Sequence, residues 1–508
     1  MTTPADIVLT GAAVHTLAPG DPVHEAVAVR DGRIVRVGSA YDLDMLVGAD
    51  TTRVDLDGRV VLPGFVDAHT HLEIVGRYEV HADLSGADSR AAALDRLAAR
   101  AGEIAGEDWL LGYGYDESAW DDPDPLTAAD LDALDHPGPV AAFREDLHVA
   151  SVDETALARV EEALPPGDHG DGVLVEAGAT ALRRRLRPDR TDARRLLEAG
   201  QRRAVSRGIT GIHDFVRRSA APRAYRDMAR ERELDLRVQL YYWRDHLDAV
   251  AEVGLATGGE GRVRFGGIKT FSDGSLGARS ARLSAPYADA SGERGEWVVS
   301  PDELDALAGR IDDLDLRMAT HAIGDEAIDR VLDAYRDRGE EARWRVEHAV
   351  LASDEAIARM ASAGLVACVQ PNFLKWADEE GLYEARLGER RTETVRLRDL
   401  FDADVAVAFG SDGMPMDPLV GVHHAVNAPA ERQRIAVTEA LRAYTRGAAY
   451  AGMAEDETGL VEVGRRADLV VLAESPWGRP GSIDDIDVTM TVVGGDVVYD
   501  PTNRARNA

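Results

Sequence analysis

The segment FVDAHTH closes an apolar run with two histidines, His69 and His71. Side chains on a β-strand alternate between faces, so residues two apart point the same way. Both imidazoles then aim at one point beyond the strand's C-terminal end, where a metal ion held by neutral imidazoles fits. Taken alone, the pair is also what a half-buried surface strand would carry. Other apolar runs end in polar residues as well: Lys269 in VRFGGIK, His321 in LRMATH, His348 in RVEH, Asp412 in VAVAFGSD, and His213 with Asp214 in GITGIHDF. Each has an ordinary explanation singly, Asp412 as a helix N-cap for example. Jointly, at the ends of separate strands, they point to one site.

Lys269 stands out against the composition. The chain has 58 basic residues, and all but Lys269 and Lys375 are arginine. Arginine is the local default, so a lysine at an interior strand end points to an amine that can lose its proton and react.

The elements that must position these residues follow from periodicity. Eight short apolar strands, from FVDAH to VAVAFGSD, alternate with amphipathic helices. AIDRVLDAY, for instance, sets Ala327, Ile328, Val331, Leu332 and Tyr335 on one helical face. Such a series predicts an α/β fold, a (β/α)8 TIM-like barrel, with a doubly wound sheet as the alternative. Barrel active sites lie at the C-terminal ends of the strands, where these polar residues fall. Both termini are β-rich, with hairpins turning at Asp31-Gly32, Asp57-Gly58 and Gly494-Gly495. The expected division is a small β-sandwich built from residues 1–62 and 456–508 around a barrel over 63–455. The gap after the first strand, about 73–190, is too long for a crossover and reads as a large insertion. Its Gly-Tyr-Gly-Tyr segment and Trp120 suit either a substrate pocket or the insertion's own core.

Composition narrows the partners. At 45% hydrophobic and 29% charged residues over 508 positions, the chain is globular. Its net charge of −33 is spread along the chain, which argues against nucleic acid as a partner. No apolar run reaches membrane-spanning length and the N-terminus carries no secretion pattern, so no membrane partner and a cytoplasmic location are expected. Cys368 is the single cysteine, which rules out an internal disulfide and a cysteine-based zinc site. An acidic, lysine-poor chain points to a halophilic protein in a high-salt cytoplasm; a GC-rich genome would account for the arginine but not for the carboxylate excess.

As a set, HTH after strand one, a lysine on strand four, histidines ending strands five and six and an aspartate after strand eight resemble the amidohydrolase superfamily. The strings GGIKTFSDGSLGARSA, HAIGD, RVEHA, VQPNF and FGSDGMPMDP, with DWLLGYGYDESAW and DLHVASVDETAL in the insertion, are similar to its N-substituted formamide deformylase branch. The resemblance implies a metal-dependent hydrolase domain over the barrel, with two divalent metal ions, zinc first among them and iron, manganese or cobalt as alternatives. His69 and His71 would hold one ion and His321 and His348 the other. Lys269, carboxylated by carbon dioxide to a carbamate, would bridge both. Asp412 would ligate the first ion and act as the proton shuttle. His148 would bind the substrate or its oxyanion, and Asp273 and Arg279, above strand four, would bind substrate by shaping the pocket. The implied reaction is hydrolysis of a non-peptide C–N bond in a small amide, an N-substituted formamide or a relative of it, by a metal-bridging hydroxide. Other readings are hydrolysis of an ester, lactone or cyclic amide on the same site, a lyase forming a Schiff base at Lys269, and a non-catalytic scaffold. Association as a homodimer stays open.

Overall fold

The computed structural model of the chain describes residues 3–505 apart from 105, 107, 146, 165–170, 218–219 and 337–341. The apolar runs become eight strands: β1 (Phe65–Thr70), β2 (Ile209–Val216), β3 (Arg237–Trp243), β4 (Val263–Phe271), β5 (Met318–Ala322), β6 (Arg345–His348), β7 (Val366–Val369) and β8 (Ala406–Phe409). They form one sheet in chain order, and neighbours pair in parallel. Every residue of β1, β2, β5, β6 and β7 is buried, which is why these strands read as continuous rather than alternating apolar runs. The sheet curls into a (β/α)8 barrel that closes just past the end of β8. There the Asp412 N–H donates to the His69 carbonyl at 2.7 Å, and the Ser411 N–H donates to Asp67 Oδ1 at 2.9 Å. Gly410 permits that approach, since a Cβ there would lie 2.4 Å from the His69 nitrogen.

The helices behave as their periodicity predicts. Asp325–Ala334, after β5, buries Ala327, Ile328, Val331 and Leu332, and Tyr335 is buried just beyond its end.

The terminal segments make two further sheets, of four and six strands. Val60–Pro63 pairs antiparallel with Leu469–Leu472, so the two ends of the chain are stitched into one sheet. Ile7, Val27 and Val54 from one sheet share a core with Val61, Leu469 and Val492 from the other, a small β-sandwich. Its turns have the backbone their residues foretell. Asp31 and Gly32 have φ of 52° and 72°, and Asp57 and Gly58 have 53° and 80°. At Asp31-Gly32 this matches the twist of a tight hairpin, whereas the hairpin expected at Asp57-Gly58 is corrected: Thr52–Asp55 lies in the four-stranded sheet and Val60–Pro63 in the six-stranded one, so that turn carries the chain between sheets.

The chain divides into two compact units. One comprises Met1–His71, Gln201–Arg218 and Tyr225–Ala508; the other comprises Leu72–Gly200 with Ser219–Ala224. The second unit runs past residue 190 because the helix Arg190–Ser206 is continuous across its boundary. It has its own mixed sheet, in which Leu110–Tyr115 pairs in parallel with Val140–Arg144, and the latter pairs antiparallel with Val149–Val152. A register shift between Tyr113 and Tyr115 sends the two rings to opposite faces of that sheet. Tyr115 and Trp120 pack in one core and Tyr113 in the other. The Trp120 indole N–H donates to the Ala87 carbonyl at 2.9 Å. Of the two readings of these aromatics, pocket or core, the structure has them as the core of the insertion.

Candidate metal centre

Residues at the C-terminal ends of β1, β4, β5, β6 and β8 converge. One ligand atom each of His69, His71 and Asp412 lies within 4.8 Å of the others. Asp412 Oδ1 is 3.3 Å from His71 Nε2 and 3.7 Å from His69 Nε2. The His348 ring lies 4.8 Å from the His69 ring and 4.5 Å from the His321 ring, centre to centre. Lys269 is pulled in from β4, with its Nζ 4.8 Å from the Phe215 ring and 5.0 Å from the Phe271 ring.

Each imidazole has one nitrogen fixed by the protein. His69 Nδ1 meets Glu347 Oε2 at 2.5 Å, and His71 Nδ1 meets the Phe215 carbonyl at 2.8 Å. His348 Nδ1 meets Gln370 Oε1 at 2.6 Å, and His321 Nε2 meets the Gly274 carbonyl at 2.9 Å. A ring that donates one N–H to an acceptor presents its other nitrogen as a lone pair, the tautomer a metal needs. Burial holds His69, His321 and His348 below the usual histidine range, so these rings are neutral at pH 7. Burial acts most strongly and lowers His71, but the hydrogen bond and charge of Asp412, the charge of Asp214 and the bond to the Phe215 carbonyl together outweigh it and raise its pKa. Asp412 is held well below the usual carboxylate range: burial pushes it up, and the surrounding His71, His69 and His348 more than reverse this.

Lys269 fits a bound group better than an empty one. Its Nζ is buried, and among the described residues it makes no hydrogen bond. Burial lowers its pKa to about 8. An unpaired buried ammonium is costly, whereas carboxylation would turn the amine into a two-oxygen anion. The donor set of imidazoles, carboxylate and carbamate suits divalent metal ions. His348, Ala349 and Asp412 have φ of 70°, 46° and 55°. Non-glycine residues are held in that region only when the surroundings over-determine them, and such strain gathers at functional sites.

Beneath the histidines lies a charged layer that the sequence reading passes over. Arg345 Nε and Nη2 donate to Glu347 at 2.6 and 3.0 Å. Nη1 meets His213 Nδ1 at 2.8 Å, and Nη2 also donates to the Ala68 carbonyl at 2.6 Å. Asp67 locks β1 to the residues after β8 through both the N–H and the hydroxyl of Ser411, and burial raises its pKa to about 7. The period-two signal that singles out His69 and His71 extends back to Asp67, and Arg345 and Glu347 show it again on β6. Asp214, the alternative carboxylate on β2, accepts from the Tyr225 hydroxyl at 2.7 Å.

The remaining candidates have other partners. Asp273 is fully buried, and its oxygens accept from the N–H groups of Arg282, Ile323 and Gly324 at 2.8, 3.1 and 2.9 Å. It braces the loops after β4 and β5, and its Oδ1 lies 3.8 Å from His321 Nε2. Arg279 makes a two-pronged pair with Asp289, at 3.0 and 2.9 Å. That pair ties the guanidinium to a residue of the same loop. His148 belongs to the second unit, where it is exposed and its Nδ1 lies 2.9 Å from Glu176 Oε2.

The amidohydrolase family model matches residues 52–499. The chain belongs to the amidohydrolase family. A Bacillus subtilis (strain 168) protein named as an amidohydrolase, YtcJ, is 30% identical over 96% of this chain and 98% of its own length. An N-substituted formamide deformylase from Arthrobacter pascens is 26% identical over 99% of this chain and all of its own. Among solved structures, an uncharacterized metal-dependent hydrolase from Pyrococcus furiosus superposes with a TM-score of 0.80 at 30% identity, covering 93% of this chain and 99% of that one. The chain is thus a metal-dependent hydrolase of the amidohydrolase superfamily.

Proposed function

We propose that this amidohydrolase cleaves the C–N bond of an N-substituted formamide or a related small amide. It would do so with two divalent metal ions, zinc by preference, held by His69, His71, His321, His348, Asp412 and carboxylated Lys269. The observation that carries this reading is the set of imidazoles, each with one nitrogen fixed by the protein, gathered around a buried lysine amine that makes no hydrogen bond among the described residues. When bound, such ions lower the pKa of water toward about 7 and polarise a carbonyl, which supplies a nucleophile and an electrophile at neutral pH.

The other parts belong to the chain. The Lys269 ammonium gives up two protons as its nitrogen forms an N–C bond to carbon dioxide, so that a buried positive charge would become a carbamate anion. Asp412, kept ionised by its histidine neighbours, takes the proton of the attacking water and gives it to the departing amine nitrogen. Glu347 and Gln370 hold the rings of His69 and His348 in the tautomer that offers Nε2. The full-length likeness to a deformylase supports a formamide as the substrate.

The test is a panel of N-formyl, N-acyl and cyclic amides with a lactone, run on metal-loaded protein at high salt, reading amine release. Formamide turnover that a chelator abolishes is expected. Turnover of the lactone or cyclic amide alone would replace the formamide reading. A borohydride-trapped substrate adduct at Lys269 would instead mark a Schiff-base lyase.

A further inference from the structure

The opposite end of the barrel carries a feature that hydrolysis does not use. At the N-terminal ends of β3 and β4, a cleft of about 280 Å³ is lined by Arg33, Arg237, Arg262 and Arg466, with Asp31 its one acidic residue. The rest of its lining is glycine: Gly32, Gly261 and Gly494. Their φ values of +72°, +89° and +60° lie in the left-handed region; Gly32 and Gly494 pack closely on each other, and Gly261 faces open space. Arg33 and Arg466 are brought side by side by an antiparallel bridge between the N-terminal and C-terminal parts of the sandwich.

A cluster of guanidiniums runs against the character of this chain, whose net charge is −33. Two of the four have carboxylate partners. Arg237 grips Asp468 at 2.6 and 2.9 Å, and Arg466 donates to Glu457 at 2.6 Å. The other two do not. Among the described residues, Arg33 bonds only the Gly464 carbonyl, at 2.7 Å, and Arg262 only the Asp235 carbonyl. Burial and then the adjacent Arg237 hold Arg262 below the usual arginine range, against the opposing pull of Asp468, Asp235 and Asp496. A wider cleft of about 610 Å³ shares Gly261 and Arg262 and adds Arg226, Arg230 and Arg232 together with Asp235, Glu260 and Asp496.

We propose that this arginine and glycine cleft on the barrel floor is a binding site for a small oxyanion, a phosphate or carboxylate group, separate from the metal centre. Arg33 and Arg262 supply planar donors that make no close ion pair among the described residues, and an oxyanion accepts from such forks in pairs. Arg237 and Arg466, already braced by Asp468 and Glu457, set the walls. A ligand bearing the group at one end would extend over Gly261 toward the wider cleft.

The probe is inorganic phosphate added to the metal-loaded protein, with ionic strength held constant by potassium chloride. The readouts are the melting temperature and the phosphorus-31 line width. A saturable rise in melting temperature and line broadening are expected. Arg262→Gln should raise the half-saturating phosphate about tenfold, as loss of one charge-assisted donor does, and Arg33→Gln should act in the same direction. Arg262→Lys, which keeps the charge without the fork, should fall between. Arg36→Gln, on the same strand as Arg33 but outside the cleft, should leave it unchanged. Phosphate held at the metal centre would respond equally in all variants, so equal half-saturation in the Arg262→Gln, Arg36→Gln and unaltered proteins overturns the proposal. So does a melting temperature that phosphate raises no further than chloride at the same ionic strength.

Discussion

Glu347→Ala removes one carboxylate that holds together two parts of the centre. Glu347 is fully buried, accepts from Arg345 at 2.6 and 3.0 Å, and meets His69 Nδ1 at 2.5 Å. Its loss leaves the Arg345 guanidinium buried with no carboxylate against it. Breaking a buried pair by deleting one partner costs about 3–5 kcal/mol. It also frees the His69 ring to choose the wrong tautomer, and losing such an outer partner typically lowers metal affinity about 10–100-fold. Urea unfolding in molar potassium chloride measures the first effect, and competition against a chelating dye measures the second. The double replacement Arg345→Met with Glu347→Leu is the control, because it removes both charges together. It should recover most of the stability but none of the metal affinity. If Glu347→Ala stayed within about 0.5 kcal/mol of the unaltered protein and bound metal as tightly, the layer beneath the histidines would have no part in ordering the site.

Three further outcomes are expected. Asp412→Asn should lower kcat about 10²- to 10⁴-fold while the circular dichroism spectrum stays unchanged, since the amide keeps the shape but cannot take the proton; near-normal kcat with full metal would pass the shuttle role to Asp214. His148→Ala should raise KM on an active amide with a smaller change in kcat, and a kcat loss matching that of Asp412→Asn would place His148 in the proton transfer instead. The melting temperature should rise between 0.1 M and molar potassium chloride, as the Debye length falls from roughly 10 Å to roughly 3 Å around a chain of net charge −33; a flat profile would leave codon bias as the source of the composition.

Much of the barrel is legible in the chain because parallel strands buried on both faces must be apolar throughout, so each run announces itself and its first polar residue marks the rim. His69, His71, Lys269, His321, His348 and Asp412 are visible for that reason. Hairpins such as Asp31-Gly32 are visible because only a few residue pairs tolerate two left-handed conformations in succession. The layer below the rim is hidden. Arg345 and Glu347 look like surface charges on a short strand, and only folding brings Glu347 to His69 from the far side of the barrel. Asp273 has the look of a pocket residue, but the N–H groups that claim its oxygens come mostly from the loop after β5, remote in sequence. The aromatic segment of the insertion reads two ways for a similar reason. Tyr113, Tyr115 and Trp120 are as suited to a pocket as to a core, and a one-residue register shift decides which face each ring covers.

The central claim, a two-metal centre bridged through Lys269, is tested most directly by elemental analysis of protein reconstituted with zinc in the presence of bicarbonate. About two ions per chain are expected, as in a two-metal hydrolytic site, falling well below that in Lys269→Ala. Less than about one ion per chain after reconstitution, or the same metal content in Lys269→Ala, would contradict it.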